Sequence, residues 1–212
     1  MMTSDVPTIN EVLAAIALPD AEDTARLHAQ LVARAERDDL LDVVYRTIDS
    51  PFGELLLAAT PQGLVRVAFA LEGHDSVLAR LSTAISPRIL RAPRRLDEAA
   101  AQLDDYFSGR RHRFELPIDL QLAHGFRRTV LDHLRAIAYG YTASYAAIAA
   151  AAGSPAAVRA VGSACATNPL PVVVPCHRVV RSDGSIGQYL GGTETKRALL
   201  AMEADGGRTG AL

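Results

Sequence analysis

Residues 168–179 read Asn-Pro-Leu-Pro-Val-Val-Val-Pro-Cys-His-Arg-Val. Asn168-Pro169-Leu170-Pro171 has the composition of a turn, because proline fixes φ and asparagine bonds its own neighbouring backbone. Val172, Val173 and Val174 form an apolar run that reads as the end of a buried strand. Cys176 follows, beside His177. A thiolate is a far stronger nucleophile than a thiol, and an imidazole can supply the base that makes one. The stiff approach would hold Cys176 rather than leave it mobile. Free cysteines are mostly buried packing residues, and on the dipeptide alone that is the commoner reading. The chain on either side shifts the balance.

Upstream, apolar residues at Val130, Leu131, Leu134 and Ile137 make a helical stripe over 126–139, stopped by Gly140. A short alanine-rich helix is expected over 144–152. Gly153-Ser154-Pro155 then turns the chain, and Pro155 suits the first position of a helix over 156–166. Two short helices joined by a glycine-containing turn resemble a helix-turn-helix, although an ordinary helical hairpin is commoner. The second helix is nearly bare: Ala156, Ala157, Ala160, Gly162, Ser163 and Ala164 surround Arg159, its one large polar side chain. Such a helix can approach another backbone closely. From His124 to Leu200 the net charge is +5, leaving −7 on the remainder of a chain whose total is −2. That asymmetry suits a polyanionic partner about as well as it suits a solvated charged surface. Of the 22 lysines and arginines only Lys196 is lysine, which suggests a specific need there.

The first half is different. Val43–Ile48, 54–60 and 64–70 are β-rich segments separated by Asp49-Ser50-Pro51-Phe52-Gly53 and Pro61-Gln62-Gly63, an antiparallel meander. Helices are expected over 76–85 and 94–108, the latter ending at Gly109, and an extended segment over 114–120. Before the meander, Thr8 and Glu11 have capping-box spacing ahead of Val12, Leu13 and Ile16, and a second helix is expected from about 21 to 37 with Leu27, Leu31 and Ala35 on one face. The 212 residues, 49% hydrophobic, suffice for one large or two small cores. No apolar run is long enough to span a membrane. No basic region followed by an apolar core opens the chain, so no secretory leader is expected. Cys165 and Cys176 cannot make a disulfide framework or a four-cysteine zinc site, and a free reactive thiol fits a reducing cytoplasm.

Ser144-Tyr145, the run from Gly153 to Gly162, Asn168-Pro169, Pro175-Cys176-His177-Arg178-Val179, the Gly187–Gly192 loop and Leu199–Glu203 occur in the order and spacing of the 6-O-methylguanine-DNA methyltransferases. Over about residues 42–205 the chain resembles that family. The resemblance implies an α/β chain in which a small ribonuclease H-like N-terminal domain precedes an all-helical, winged-helix-like DNA-binding domain. Placed on this sequence, that gives a helical extension over 1–40, the α/β domain over 41–123 and the alkyl-acceptor domain over 124–212. The first 40 residues have no counterpart in the resemblance.

The implied chemistry has a physical logic. A methyl group on guanine O6 lies inside the base stack, so the nucleotide must be extruded before a side chain reaches it. Arg159 looks like the finger that fills the vacated space from the minor groove, and Ala156, Ala160 and Gly162 allow the close approach. A free cysteine titrates near ~8.5 and is mostly a thiol at neutral pH. By resemblance His177 takes its proton through a water, Glu203 orients His177, and Asn168 ties the turn to the network. Tyr145 would donate to the leaving base and also touch DNA. Pro171, Val179, Tyr189, Leu190 and Lys196 fall at positions that form the substrate pocket. The thioether product is stable, so one molecule should act once. The implied partner is double-stranded DNA carrying 6-O-alkylguanine, met by a monomer with no cofactor, no metal and no membrane.

Two departures stand out. Many relatives have a Pro-x-Gly-Glu-like turn where this chain has Ala138-Tyr139-Gly140-Tyr141, and Leu190 is larger than the residue in some relatives, which would narrow the pocket. Two other readings remain at this point. One is an alkyltransferase-like protein that binds the lesion without removing it, a class that lacks the acceptor cysteine. The other is a cysteine hydrolase, which would need an oxyanion hole and has no use for a bare helix with one arginine.

Overall fold

A computed structural model of the chain describes residues 20–209. The helix expected around Thr8, Glu11 and Ile16 lies outside them. The chain divides after Leu40 into two units. In the first, α1 (Ala21–Arg37) is capped by Asp20, whose side chain accepts from Asp23 N at 2.7 Å. Acidic residues sit in its first turn and Arg34 and Arg37 in its last, matching the helix dipole. Leu27 and Leu31 are half exposed, whereas Ala35 is buried.

In the second unit the expected meander is present: β1 (Val43–Ile48), β2 (Leu55–Thr60) and β3 (Gly63–Phe69) pair antiparallel in sequence. A fourth strand, β4 (Ile89–Arg91), adds parallel to β1, giving the order β3-β2-β1-β4. Three residues between Pro87 and Pro93 are too few to show a period, which is why no strand was expected there. α2 (His74–Ala84) covers the sheet, burying Val77 and Leu81 with Val43, Leu56, Ala58, Val65 and Ala68. Each valine and leucine among them contributes roughly 1.5–3 kcal/mol of burial. α3 (Asp97–Phe107) follows a 3₁₀ turn at Pro93–Leu96. The segment expected to be extended over 114–120 meets the sheet at one bridge, Leu64 to Ile118. It passes so close that a Cβ on Gly63 would sit 2.3 Å from Pro117 O, and Gly63 has φ +138°.

The remainder comprises α4 (Gly125–Arg135), β5 (Ala143–Ser144), α5 (Tyr145–Ala151), α6 (Val158–Ala166), β6 (Val179–Val180) and α7 (Thr193–Thr209). α4, α5 and α6 pack on one another. Three expectations are corrected. This region is not all-helical, because β5 and β6 form a two-residue parallel ladder. α4 stops at Arg135 rather than running through 139, its end closed by turn hydrogen bonds from Ala136 and Ile137. α6 begins at Val158, not 156. Pro155 instead occupies the second position of a turn closed by Ala157 N to Ser154 O at 2.8 Å, where its fixed φ fits equally well.

Candidate active site

The run Val172–Val174 is not a strand. It is a turn, and Val172 has φ +73°. Pro171 and Pro175 flank the run and Val174 N turns back to Leu170 O at 2.7 Å, so the segment bends instead of pairing as a strand, and Asn168 holds it. This wholly buried side chain donates from Nδ2 to Val174 O at 2.8 Å and accepts on Oδ1 from Leu170 N at 3.0 Å. The same Nδ2 lies 3.1 Å from Cys176 Sγ. The loop is also held from β3, where Val67 N donates to Pro169 O and Arg66 to the carbonyls of Asn168 and Pro169. Arg66 is itself paired with Glu72. Cys176 thus sits at a fixed point, 2% exposed, opening the 3₁₀ turn Cys176–Arg178.

Burial pushes the Cys176 thiol up to about 11, against the Asn168 hydrogen bond and the Lys196 cation, which both favour thiolate. At neutral pH it is therefore protonated, and its reaction needs a base. Among the described residues the thiol's side-chain partner is Asn168, not His177, so proton transfer to the ring needs an intermediary. His177 is fully buried, with Nε2 2.9 Å from Glu203 Oε1. Facing a carboxylate, Nε2 carries the hydrogen. Nδ1 is then the basic nitrogen, and among the described residues it has no partner. Burial lowers the pKa of His177 against the pull of Glu203, so the ring is neutral at rest.

Glu203, from α7, is 1% exposed. It accepts from Tyr106 Oη, His177 Nε2, Arg178 Nε and Nη2, and Gly140 N. Burial alone would raise its pKa; the hydrogen bonds from His177 and Arg178 outweigh this and hold it at about 2. Arg178 also donates to Ile137 O at 2.6 Å. Neither Tyr106 nor Arg178 was singled out from sequence. Arg178 could have been, since it directly follows His177 in the quoted motif; Tyr106, in the helix expected over 94–108, left no signal.

Lys196 is wholly buried, and its Nζ donates to Val179 O at 2.6 Å and lies 5.9 Å from the Tyr145 ring centroid. It fixes the strand β6 that leaves the 3₁₀ turn, which answers why one lysine stands in an arginine chain. The carbonyl of Val179, a residue expected in the substrate pocket, is thus already engaged on one side. An open cleft of about 750 Å³ is lined by Tyr145, Arg159, Gly162, Gly187, Tyr189 and Leu190. Tyr145 opens α5 behind the N-cap Ser144, whose Oγ accepts from Ala147 N. Burial, as the largest cause, raises the pKa of both cleft tyrosines, so their hydroxyls keep their protons. Arg159 is exposed, and among the described residues it has no acidic partner. Gly162 faces open space.

Five placements differ from expectation. Pro171, Val179 and Lys196 are buried and do not line this cleft. Ala156 precedes α6 instead of lying on it, and Ala160, though exposed, lies outside the lining. Cys165 is buried in α6, its thiol pushed up to about 12 by desolvation, as a packing residue would be. A Cβ on Gly187 would lie 2.7 Å from Tyr145 Oη, the mobile end of that side chain. Gly187→Ala is therefore expected to displace the hydroxyl, leaving folding stability within about 1 kcal/mol of the parent. It should slow the reaction of Cys176 with the alkylated duplex that the resemblance implies on the order of 10-fold, checked by single-turnover kinetics beside a urea melt.

The fold and site define a class on their own terms: a protein with one loop-clamped, protonated thiol, an imidazole–carboxylate pair beside it, and a small-residue helix with a lone arginine at the mouth. Comparison with known proteins specifies it. Residues 125–205 match the model of the 6-O-methylguanine DNA methyltransferase DNA-binding domain, and residues 43–120 that of its ribonuclease-like domain. The chain is 38% identical over 161 residues to the methylated-DNA-protein-cysteine methyltransferase of Mycolicibacterium paratuberculosis, covering 76% of this chain and 92% of that one. It is 41% identical to the constitutive Bacillus subtilis protein of the same name, covering 75% and 94%. A crystal structure of a Mycobacterium tuberculosis relative in complex with DNA is similar with a TM-score of 0.67 at 36% identity, covering 77% and 94%. The chain belongs to the 6-O-methylguanine-DNA methyltransferase family. No helix among the described residues is long and apolar enough to cross a membrane.

Proposed function

We propose that the protein repairs DNA by moving the alkyl group of 6-O-alkylguanine irreversibly onto Cys176 Sγ, once per molecule. The observation that carries this is the fixed Cys176 thiol, clamped by Asn168 and set beside neutral His177 and its carboxylate partner Glu203. Sγ attacks the alkyl carbon in line, the C–S bond forms and the O6–carbon bond breaks. The thiol proton passes through a water to His177 Nδ1, and Glu203 stabilises the resulting cation. The Tyr145 hydroxyl donates to the departing guanine as its electron density rises. Lys196 and Val179 hold the loop, and Tyr189 and Leu190 wall the base.

Residues 41–123 act as the ribonuclease-like domain and 124–212 as the DNA-binding and acceptor domain, with 1–40 an extension. α5 and α6 approach the minor groove of double-stranded DNA as the helical pair of a winged-helix-like unit. Arg159 enters the stack when the damaged nucleotide turns out, and the bare surface around Gly162 allows the contact. The protein works as a monomer in the cytoplasm.

Arg159→Ala is expected to lower transfer from duplex about 30- to 100-fold, the cost of a few kcal/mol of unsupported base extrusion. Reaction with free 6-O-methylguanine should change less than about 2-fold, because no stack is opened. Equal losses on both substrates would remove the finger role. For the function itself, excess methyl-labelled duplex should lose label until one methyl per protein is bound and then stop. Continued release of a free labelled product would overturn the proposal.

A further inference from the structure

Tyr106 belongs to α3, within the segment that matches the ribonuclease-like model, yet its hydroxyl ends in the acceptor site. It is wholly buried. Its ring is fixed by Phe107, Phe114 and Tyr139, with centroids at 5.5, 5.1 and 6.1 Å. The hydroxyl donates to Glu203 Oε1, and its oxygen lies 3.3 Å from His177 Nε2. We propose that Tyr106 is a positioning residue for alkyl transfer: by sharing Glu203 Oε1 it tempers the carboxylate's hold on His177 and keeps Nδ1 free to take the thiol proton. This rests on the reading of His177 as the base.

Oε1 is the crowded oxygen. It accepts from Tyr106, from His177 and from Arg178, whereas Oε2 receives Arg178 Nε and Gly140 N. A carboxylate divided among several donors pulls less on each. The groups that face His177 are Glu203 and Lys196 from α7, Tyr106 from α3, Cys176 and Arg178 from its own turn, and the Tyr189 ring at 6.2 Å. Burial, Arg178 and Lys196 disfavour its cation, and Glu203 alone favours it. Removing the phenol hydroxyl leaves Oε1 with one competitor fewer, so Nε2–H is held more strongly and the ring protonates more readily. An imidazolium cannot accept the thiol proton. The acid limb of the reaction must then move to higher pH.

The test is single-turnover methyl transfer from a damaged duplex across pH, with wild type, Tyr106→Phe, and protein carrying 3-fluorotyrosine at position 106. The fluorinated ring keeps the shape and donates more strongly, so it stays informative should the phenylalanine variant fold poorly. Nitrogen-15 spectra of His177 are read in parallel. Phenylalanine should raise the acid limb and the His177 titration together by about 0.5–1 pH unit, the scale of one hydrogen bond. Fluorotyrosine should lower both. An unmoved limb in both proteins, with only the plateau rate or the melting point reduced, would overturn the role of Tyr106. If instead wild type has no acid limb and His177→Gln transfers at the wild-type rate, the base assignment itself fails, and the two failures are distinct.

Discussion

Cys176→Ser is expected to abolish methyl transfer, by at least ~10³-fold, while leaving the damaged duplex bound within about 3-fold of wild-type affinity. The thiol, held at about 11 by burial against Asn168 and Lys196, still lies within reach of a neighbouring base. A serine alkoxide lies far outside that reach. The substitution is otherwise gentle. The hydroxyl still accepts from Asn168 Nδ2, which also bonds Val174 O and so holds the loop independently of sulfur. Fluorescence anisotropy with lesion-containing duplex, beside a transfer assay, reads both halves. Residual transfer at more than a few per cent of the wild-type rate would mean that another residue takes the methyl group.

Glu203→Gln carries the second large effect, on stability as well as on rate. The carboxylate, carried on α7, is the shared acceptor of α3, the acceptor turn and the backbone at Gly140. Its neutral replacement leaves the guanidinium of Arg178, 6% exposed, without its counter-charge, a loss of roughly 3–5 kcal/mol. The pH dependence has a definite sign. Glu203 titrates at about 2 in the folded protein against 4.5 for an ordinary glutamate, so its contribution is complete above pH 4.5 and is lost as pH falls towards 2. His177, whose pKa is depressed below 6.5, adds a loss that begins below pH 6.5, because the unfolded chain takes the proton first. Urea unfolding of wild type should weaken below pH 6.5 and again below 4.5. The glutamine variant should start lower and lack the second decline. Transfer should also fall on the order of 10²-fold, since His177 loses the anion that orients it. A variant as stable as wild type at pH 7, with the same acid profile, would contradict the buried network.

Much of this was legible in the sequence, for identifiable reasons. The meander announced itself through β-rich segments with glycine-containing turns between them, and alanine-rich α5 through composition. Asn168, Cys176 and His177 sit within one short stretch, so their proximity needed no tertiary information. Glu203 is 26 residues beyond His177 and reached the site only by resemblance. Tyr106 is 71 residues before it, and only the fold brings the two together. Val172–Val174 misled because β-branched residues usually mean strand, whereas here the run, flanked by prolines, turns back on itself through Val174 N to Leu170 O. The start of α6 was displaced because proline serves a turn and a first helical turn equally well.

The most direct test concerns the fate of the methyl group. A duplex bearing isotopically labelled 6-O-methylguanine is incubated with equimolar protein, which is then digested and mapped by mass spectrometry. One labelled methyl per molecule should appear on the peptide containing Cys176, with unmodified guanine restored in the DNA. Label on any other residue, or released as a small molecule while Cys176 stays unmodified, would contradict the account.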